Sequence, residues 1–270
     1  MSISDVNTDA VLKDTVFQAI VLLSSSGKCL AAAFDSKSES KKLRLYNEIG
    51  LTSPAGMLSF LDEYQPDQLQ LISTSSDFTL LPLGIANVAE GDDRQWLEQL
   101  PGKSTREVVL SEIDNAQSFK LVFSETAVNW NFFSQIRPEV KIRHLVNVLH
   151  SNCSKSKLAS IWSKVVCFFL EKRFFVIAYK NDEIMLANSF EYEVPADVLY
   201  YLLWVKNEVY SKEVEMPFYL NGMISEESKL FQLLKSYIKD LNFGTGGGEI
   251  KSESEELPPF HTLGILLENE

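Results

Sequence analysis

Apolar positions are arranged in the same way along two stretches of this chain. The first, Val16 to Leu23, is an apolar run of strand length. It meets the small-residue turn Ser24-Ser25-Ser26-Gly27 and resumes at Lys28 to Phe34, which is hairpin spacing. Leu43 to Glu48 supplies a third strand. The second stretch, Val165 to Leu170 and Phe174 to Tyr179, is rich in Val, Ile and Phe and is broken by Glu171-Lys172-Arg173. After the turn Asn181-Asp182-Glu183 it continues at Ile184 to Ala187. Two three-stranded meanders half a chain apart predict an internally duplicated fold, although no residue-level repeat accompanies them.

Between the meanders the pattern alternates. Pro54 opens a short helix over Ser53 to Leu61, followed by strand-like Leu69 to Ser73 and Phe78 to Leu81, a helical Asp92 to Leu100, and strands at Glu107 to Leu110 and Phe119 to Phe123. Toward the C-terminus, Pro195 suits a first helical turn, with Val198, Tyr201, Leu202, Val205 and Val209 at helical spacing after it. Phe218-Tyr219-Leu220 reads as a strand, Asn221-Gly222 as its turn, and Ser225 as the cap of a helix whose stripe is Leu230, Leu233, Leu234, Tyr237, Ile238 and Leu241. The Gly-, Ser- and Glu-rich stretch 244–257 predicts a mobile loop ahead of an ordered Pro259 to Leu267. The division expected is an N-terminal lobe over residues 1–162 and a C-terminal lobe over 163–270.

Composition narrows the function classes. With 37 acidic against 25 basic side chains the formal charge is -12, which repels a phosphate backbone and an anionic membrane surface alike. Nucleic acid and membrane are therefore not expected as partners. Met1 to Asp14 places two Asp before its first Lys and has no basic start ahead of an apolar run, so no signal peptide is predicted. Three widely spaced cysteines, Cys29, Cys153 and Cys167, fit a reducing cytoplasm better than a disulfide framework.

Several short segments carry a resemblance. Asn188-Ser189-Phe190, Asp197 to Tyr201, Tyr219 to Gly222 and the Leu230 to Ile238 helix resemble the C-terminal half of an uncharacterised bacterial family found mainly in Bacteroidetes. Phe78 to Pro82 and Ile142-Arg143-His144 are similar to its N-terminal half. The resemblance implies an α/β, duplicated, actin-like ATPase (ribonuclease H-like) fold, two lobes each with a mixed sheet flanked by helices. It further implies that nucleotide would lie between the lobes, reached by one hairpin turn from each and by an adenosine-binding turn.

In active members of that superfamily the first turn holds an Asp and a Gly, the carboxylate organising Mg²⁺. Here the matching turn is Ser24, Ser25, Ser26 and Gly27, without a carboxylate. The second turn, Glu171, Lys172 and Arg173, has no glycine, and bulky side chains block close backbone approach to a phosphate. The adenosine turn retains only Asn221 and Gly222 of a strand with paired glycines. The resemblance thus points to a catalytically inactive protein with no cofactor, acting by binding another protein. The competing expectation is a nucleotide-binding phosphotransferase or ATPase drawing its acid from Asp35, Asp182 or Asp197, each beside a strand or helix end.

Other chemistries are weaker. Gly244 to Gly248 followed by Lys251-Ser252 is not a phosphate-binding loop, because position 250 is Ile where that loop needs Gly. His144, His150 and His261 have no second ligand at metal spacing. Cys167 lies inside an apolar run, where an inert thiol is expected, and the pairs Glu226-Glu227 and Glu255-Glu256 sit on solvated stretches.

Overall fold

The computed structural model describes residues 17–24, 28–35, 43–50, 55–86, 93–99, 107–114, 118–210, 215–244 and 263–267. One five-stranded sheet contains β1 (Phe17–Leu23), β2 (Lys28–Asp35), β3 (Leu43–Gly50), β4 (Gln68–Ser73) and β8 (Ile142–His144), in the order β3-β2-β1-β4-β8. A second contains β9 (Lys164–Phe169), β10 (Arg173–Lys180), β11 (Glu183–Glu191), β12 (Phe218–Gly222) and β13 (Leu241–Phe243), in the order β11-β10-β9-β12-β13. The directions match as well as the order. In each sheet the first three strands pair antiparallel as a meander, and the first strand then takes a parallel partner that takes another.

Parallel neighbours need crossovers, and helices supply them. The helix α1 (Ala55–Tyr64) lies between β3 and β4, α6 (Pro195–Val209) between β11 and β12, and α7 (Lys229–Tyr237) between β12 and β13. The halves differ at one connection. Where α7 links β12 to β13, the path from β4 to β8 folds a third, antiparallel sheet. That sheet is β5 (Phe78–Pro82), β6 (Val108–Ile113) and β7 (Phe119–Glu125) in the order β5-β7-β6, accompanied by α2 (Leu83–Ala86), α3 (Arg94–Glu98) and α4 (Ala127–Ile136). Helix α5 (Leu145–Lys155) then runs from the first sheet toward β9.

The continuous apolar runs of β9 and β10 arise because both faces of the second sheet are covered. Val166, Phe168, Phe175, Ile177 and Tyr179 join the core that includes β1, β4, α1 and α5. The alternate residues Val165, Cys167, Phe169, Phe174, Val176 and Ala178 pack beneath α6 and α7. The junction is aromatic: Phe175 stacks on Phe78 at 6.2 Å, and the His144 ring lies 4.6 Å from Phe78, 5.1 Å from Phe123 and 6.0 Å from Phe175. His144 is fully buried. Its Nδ1 accepts the Val146 N–H at 3.2 Å, so its Nε2 is the protonated nitrogen and donates to the Ser75 carbonyl at 2.9 Å.

Pro195 opens α6 as expected, with Asp197 Oδ2 accepting the Val194 and Glu193 N–H groups at 3.0 Å each. One cap needs correcting. Helix α7 starts at Lys229 and is capped by Ser228, whose Oγ accepts from Phe231 N at 3.1 Å; Ser225 instead offers its carbonyl to Ser228 Oγ at 2.7 Å. Leu241 belongs to β13, so the helical stripe is shorter than its apolar spacing suggested. Helix α5 escapes the sequence reading because the polar residues Asn147, Ser151 and Asn152 are buried together with Leu145, Val146, Val148, Leu149 and Cys153, which dilutes its apolar stripe. Most of the expected loop over 244–257 lies outside the described residues, whereas Leu263, Ile265 and Leu266 are buried, with the Ile265 carbonyl accepting from Asn152 Nδ2 at 2.6 Å. Among the described residues no helix is long and apolar enough to cross a membrane.

Candidate functional site

In α/β sheets of this kind ligands sit outside the carboxyl ends of the parallel strands, so those ends are the place to look. At the end of β9 the chain turns through Glu171 and Lys172, with Leu170 N donating to the Arg173 carbonyl at 2.8 Å. Tyr192 fastens this turn twice: its hydroxyl donates to the Leu170 carbonyl at 2.8 Å and its N–H to the Lys172 carbonyl at 3.0 Å. Glu171 and Lys172 are exposed, while Arg173 pairs with the Glu191 carboxylate. Beside the turn, β12 ends with Gly222 opposite Phe169. Gly222 has a φ of +84°, its neighbour Met223 donates to the Phe169 carbonyl at 2.8 Å, and a Cβ at Gly222 would stand 2.1 Å from that oxygen. A glycine is required there by backbone contact alone. Asn221 is buried, with Nδ2 donating to the Cys167 carbonyl at 3.2 Å and Oδ1 unpartnered. Gly244 packs so closely on it that a Cβ would fall 1.8 Å from Oδ1. The fold therefore gathers Glu171, Lys172, Arg173, Asn221 and Gly222 at one end of the second sheet.

The first turn follows β1 of the first sheet, where Ser24 is described and Ser25, Ser26 and Gly27 lie outside the described residues. The Ser24 carbonyl accepts from Asn129 Nδ2 at 3.2 Å, and Thr74 reaches the preceding Leu23 carbonyl with both its N–H and its hydroxyl. Asn129 Nδ2 also donates to Glu125 Oε1 at 2.8 Å, an oxygen that accepts the Thr126 N–H at 2.8 Å as well. Glu125 is buried at the end of β7. Desolvation holds its carboxyl above the usual range even though the Ser73 hydroxyl, Thr126 and Asn129 all pull it down. Asn129 is wholly buried with Oδ1 unpartnered. Sequence reasoning passed over this cluster because no motif marks Glu125; the single trace is Thr126, which caps α4 by accepting from Asn129 N at 3.2 Å.

The three aspartates do not converge. Asp35 pairs with Phe17, at the end of β1 remote from Ser24. Asp182 sits in the β10–β11 turn, where φ values of +54° at Asn181 and +64° at Asp182 mark a type I′ hairpin. The length of β10 separates it from Lys172 by roughly 20 Å or more at about 3.3 Å per residue. Asp197 lies near the second turn, but its carboxylate caps α6 and those N–H groups hold its carboxyl below the usual range. Cys167 is buried and its thiol pushed far up by desolvation, an inert position. Among the described residues no group of three His, Cys, Asp or Glu side chains could hold a metal ion.

The model of a family described as "Protein of unknown function (DUF3822)" matches residues 59–241. A comparison with curated protein sequences returns no match. Among solved structures, a Bacteroides thetaiotaomicron protein with an actin-like ATPase fold and unknown function superposes with a TM-score of 0.70 at 18% identity, over 94% of this chain and 96% of that one. A chain of the PilM-PilN type IV pilus biogenesis complex superposes with a TM-score of 0.61 at 10% identity, over 93% and 97% respectively. These likenesses establish an actin-like ATPase fold.

Proposed function

This chain belongs to the DUF3822 family, and from that premise we propose that it is a catalytically silent actin-like module that works by binding another protein. The observation carrying this reading is the turn after β9. A phosphate-binding turn needs small residues so that its N–H groups can come close to the anion; here the turn is a hairpin of Leu170, Glu171, Lys172 and Arg173 without glycine, its Leu170 N–H taken by the Arg173 carbonyl and its shape fixed by Tyr192. Gly222, which resembles part of an adenosine turn, is already accounted for by its contact with Phe169. The likeness in fold to a chain of the PilM-PilN complex supports a binding role, since that assembly is named for two proteins.

The test is thermal melting with and without magnesium and ATP. Nucleotide present at a hundred times its dissociation constant adds about 2.7 kcal/mol to a protein that binds it. The expected result is no shift and no turnover; a shift accompanied by phosphate release overturns the reading. One observation favours the alternative, a nucleotide-dependent phosphotransferase: Glu125 lies, through Asn129, beside the Ser24 turn with its carboxyl raised. Were turnover found, Glu125→Gln would abolish it under that alternative.

A further inference from the structure

A groove of about 1170 Å³ is lined among others by Phe78 and Leu80 of β5, His150 of α5, and Asp182, Ile184 and Ala187 around β11. Among the described residues both strands are the last of their sheets. The hydrogen bond from Ser124 N to the Asp77 carbonyl fixes the phase of the β5–β7 ladder, so the main-chain groups of Phe78 and Leu80 point away from β7. The bond from Tyr192 N to the Lys172 carbonyl does the same for β10–β11, directing Ala187 and Ser189 away from β10. Ser189 N is taken by Asn188 Oδ1 at 2.8 Å, in keeping with that direction, and among the described residues the Ala187 main chain has no strand partner on this side. Two edges of different sheets thus border one groove.

Edge strands carry a standing risk of unwanted pairing, and β11 is only lightly protected. It is 9 residues long, has neither proline nor lysine, and carries one bulge, where Met185 has no partner opposite it. Met185 is 53% exposed, and at the same end Trp162, whose carbonyl accepts the Asp182 N–H at 2.7 Å, is 68% exposed. Exposed Trp and Met beside an apolar groove are the side chains that anchor protein contacts. The charges are acidic in balance. Lys164 is consumed by the Ile161 carbonyl at 2.7 Å, by Asp182 at 3.6 Å and by the face of the Tyr179 ring at 4.6 Å. Burial favours neutral His150, whose Nδ1 lies 3.1 Å from the Tyr179 hydroxyl. Lys180 faces Glu183 across the turn, and among the described residues no cation pairs with the Glu183 carboxylate within 4 Å.

We propose that this groove is where the partner docks, as an extended segment that adds a strand to β11 at Ala187, sets apolar side chains toward Phe78 and Ile184, and places a Lys or Arg against Glu183. The proposal rests on the protein-binding reading above and names the site and chemistry of that partner.

The experiment pans a phage-displayed library of random 12-residue peptides against the full chain and measures enriched peptides by calorimetry. The expected peptides alternate apolar residues with Lys or Arg. Their affinity falls at least tenfold on Ala187→Pro, which removes an N–H outside the ladder, and several-fold on Glu183→Lys. Methylating alternate backbone nitrogens of the peptide abolishes binding to the unaltered protein, a readout that stands even if the proline variant does not fold. Peptides that bind both variants undiminished overturn the groove while leaving a protein-binding role intact. Magnesium-dependent ATP turnover overturns the silent-module reading without touching the groove. Concentration-dependent dimers that Ala187→Pro disperses identify a second copy as occupant and overturn the partner segment.

Discussion

The two five-stranded sheets share strand order and pairing directions but close the carboxyl ends of their parallel strands by opposite means. In the second sheet two glycines do it, Gly222 lying on the Phe169 backbone and Gly244 on the Asn221 side chain. In the first, polar side chains do it, with Glu125, Asn129, Ser73 and Thr74 filling the space beside Leu23 and Ser24. Glu125 and Asn129 come from the segment inserted between β4 and β8, which the second half replaces with α7. The shared topology follows from rules of strand connection, whereas each end takes its chemistry from whichever segment happens to reach it.

The largest expected effect tests whether the halves are one cooperative unit. Phe175 carries the second sheet onto Phe78 and His144, so Phe175→Ala is expected to cost about 4 kcal/mol, measured as a shift in the urea midpoint. The parent protein should unfold in a single transition by fluorescence and circular dichroism; two separated transitions in the parent would show that the halves stand independently. Next in size, Gly222→Ala combines a left-handed backbone with a Cβ 2.1 Å from the Phe169 oxygen and is expected to cost about 3 kcal/mol. Gly84→Ala, in α2 with nothing within 4 Å, is the control and should stabilise the protein, by about 0.4–1 kcal/mol.

Acid should strain the junction through His144. Burial lowers its pKa from the ordinary 6.5 to about 4, so the unfolded chain binds a proton that the folded one resists. Stability is then intact above about pH 6.5 and is lost as pH falls toward 4, by at most about 3 kcal/mol. Glu125 works the other way, because a carboxyl raised by burial costs stability as pH rises through its folded value. Urea midpoints across this range for the parent, His144→Leu and Glu125→Gln separate the two: the histidine variant should flatten the acid limb, and the glutamine variant should steepen it. An unchanged acid limb in His144→Leu would remove the histidine from the account.

Much of the fold was legible because the two meanders are apolar runs bounded by turn residues, and α6 announces itself through Pro195 and its stripe. What escaped was buried all round or defined by contact. Helix α5 buries the polar Asn147, Ser151 and Asn152 beside its apolar residues, and Ser228 outcompetes Ser225 as a cap because Ser225 is drawn into the preceding turn through its carbonyl. The candidate site was half legible: Glu171 to Gly222 could be gathered from a family resemblance, since hairpin ends and strand ends are local features. Glu125 could not, because its importance comes from Asn129 bridging it to a carbonyl 105 residues away in sequence from that asparagine.

The smallest effects give the sharpest comparison, because the helix before the fifth strand is capped alike in both halves. Thr126 Oγ1 accepts from Asn129 N at 3.2 Å, and Ser228 Oγ accepts from Phe231 N at 3.1 Å. Each alanine substitution should cost about 1 kcal/mol on capping grounds alone. The surroundings differ, however. Ser228 serves only its helix and the adjoining turn, whereas Thr126 fixes the residue that joins Glu125 to Ser24. Thr126→Ala combined with Glu125→Gln should therefore depart from additivity by at least about 0.5 kcal/mol, while Ser228→Ala combined with Glu125→Gln should be additive within about that amount. Additivity in both pairs would reduce the polar cluster of the first half to a set of independent contacts and would leave the two carboxyl ends energetically alike.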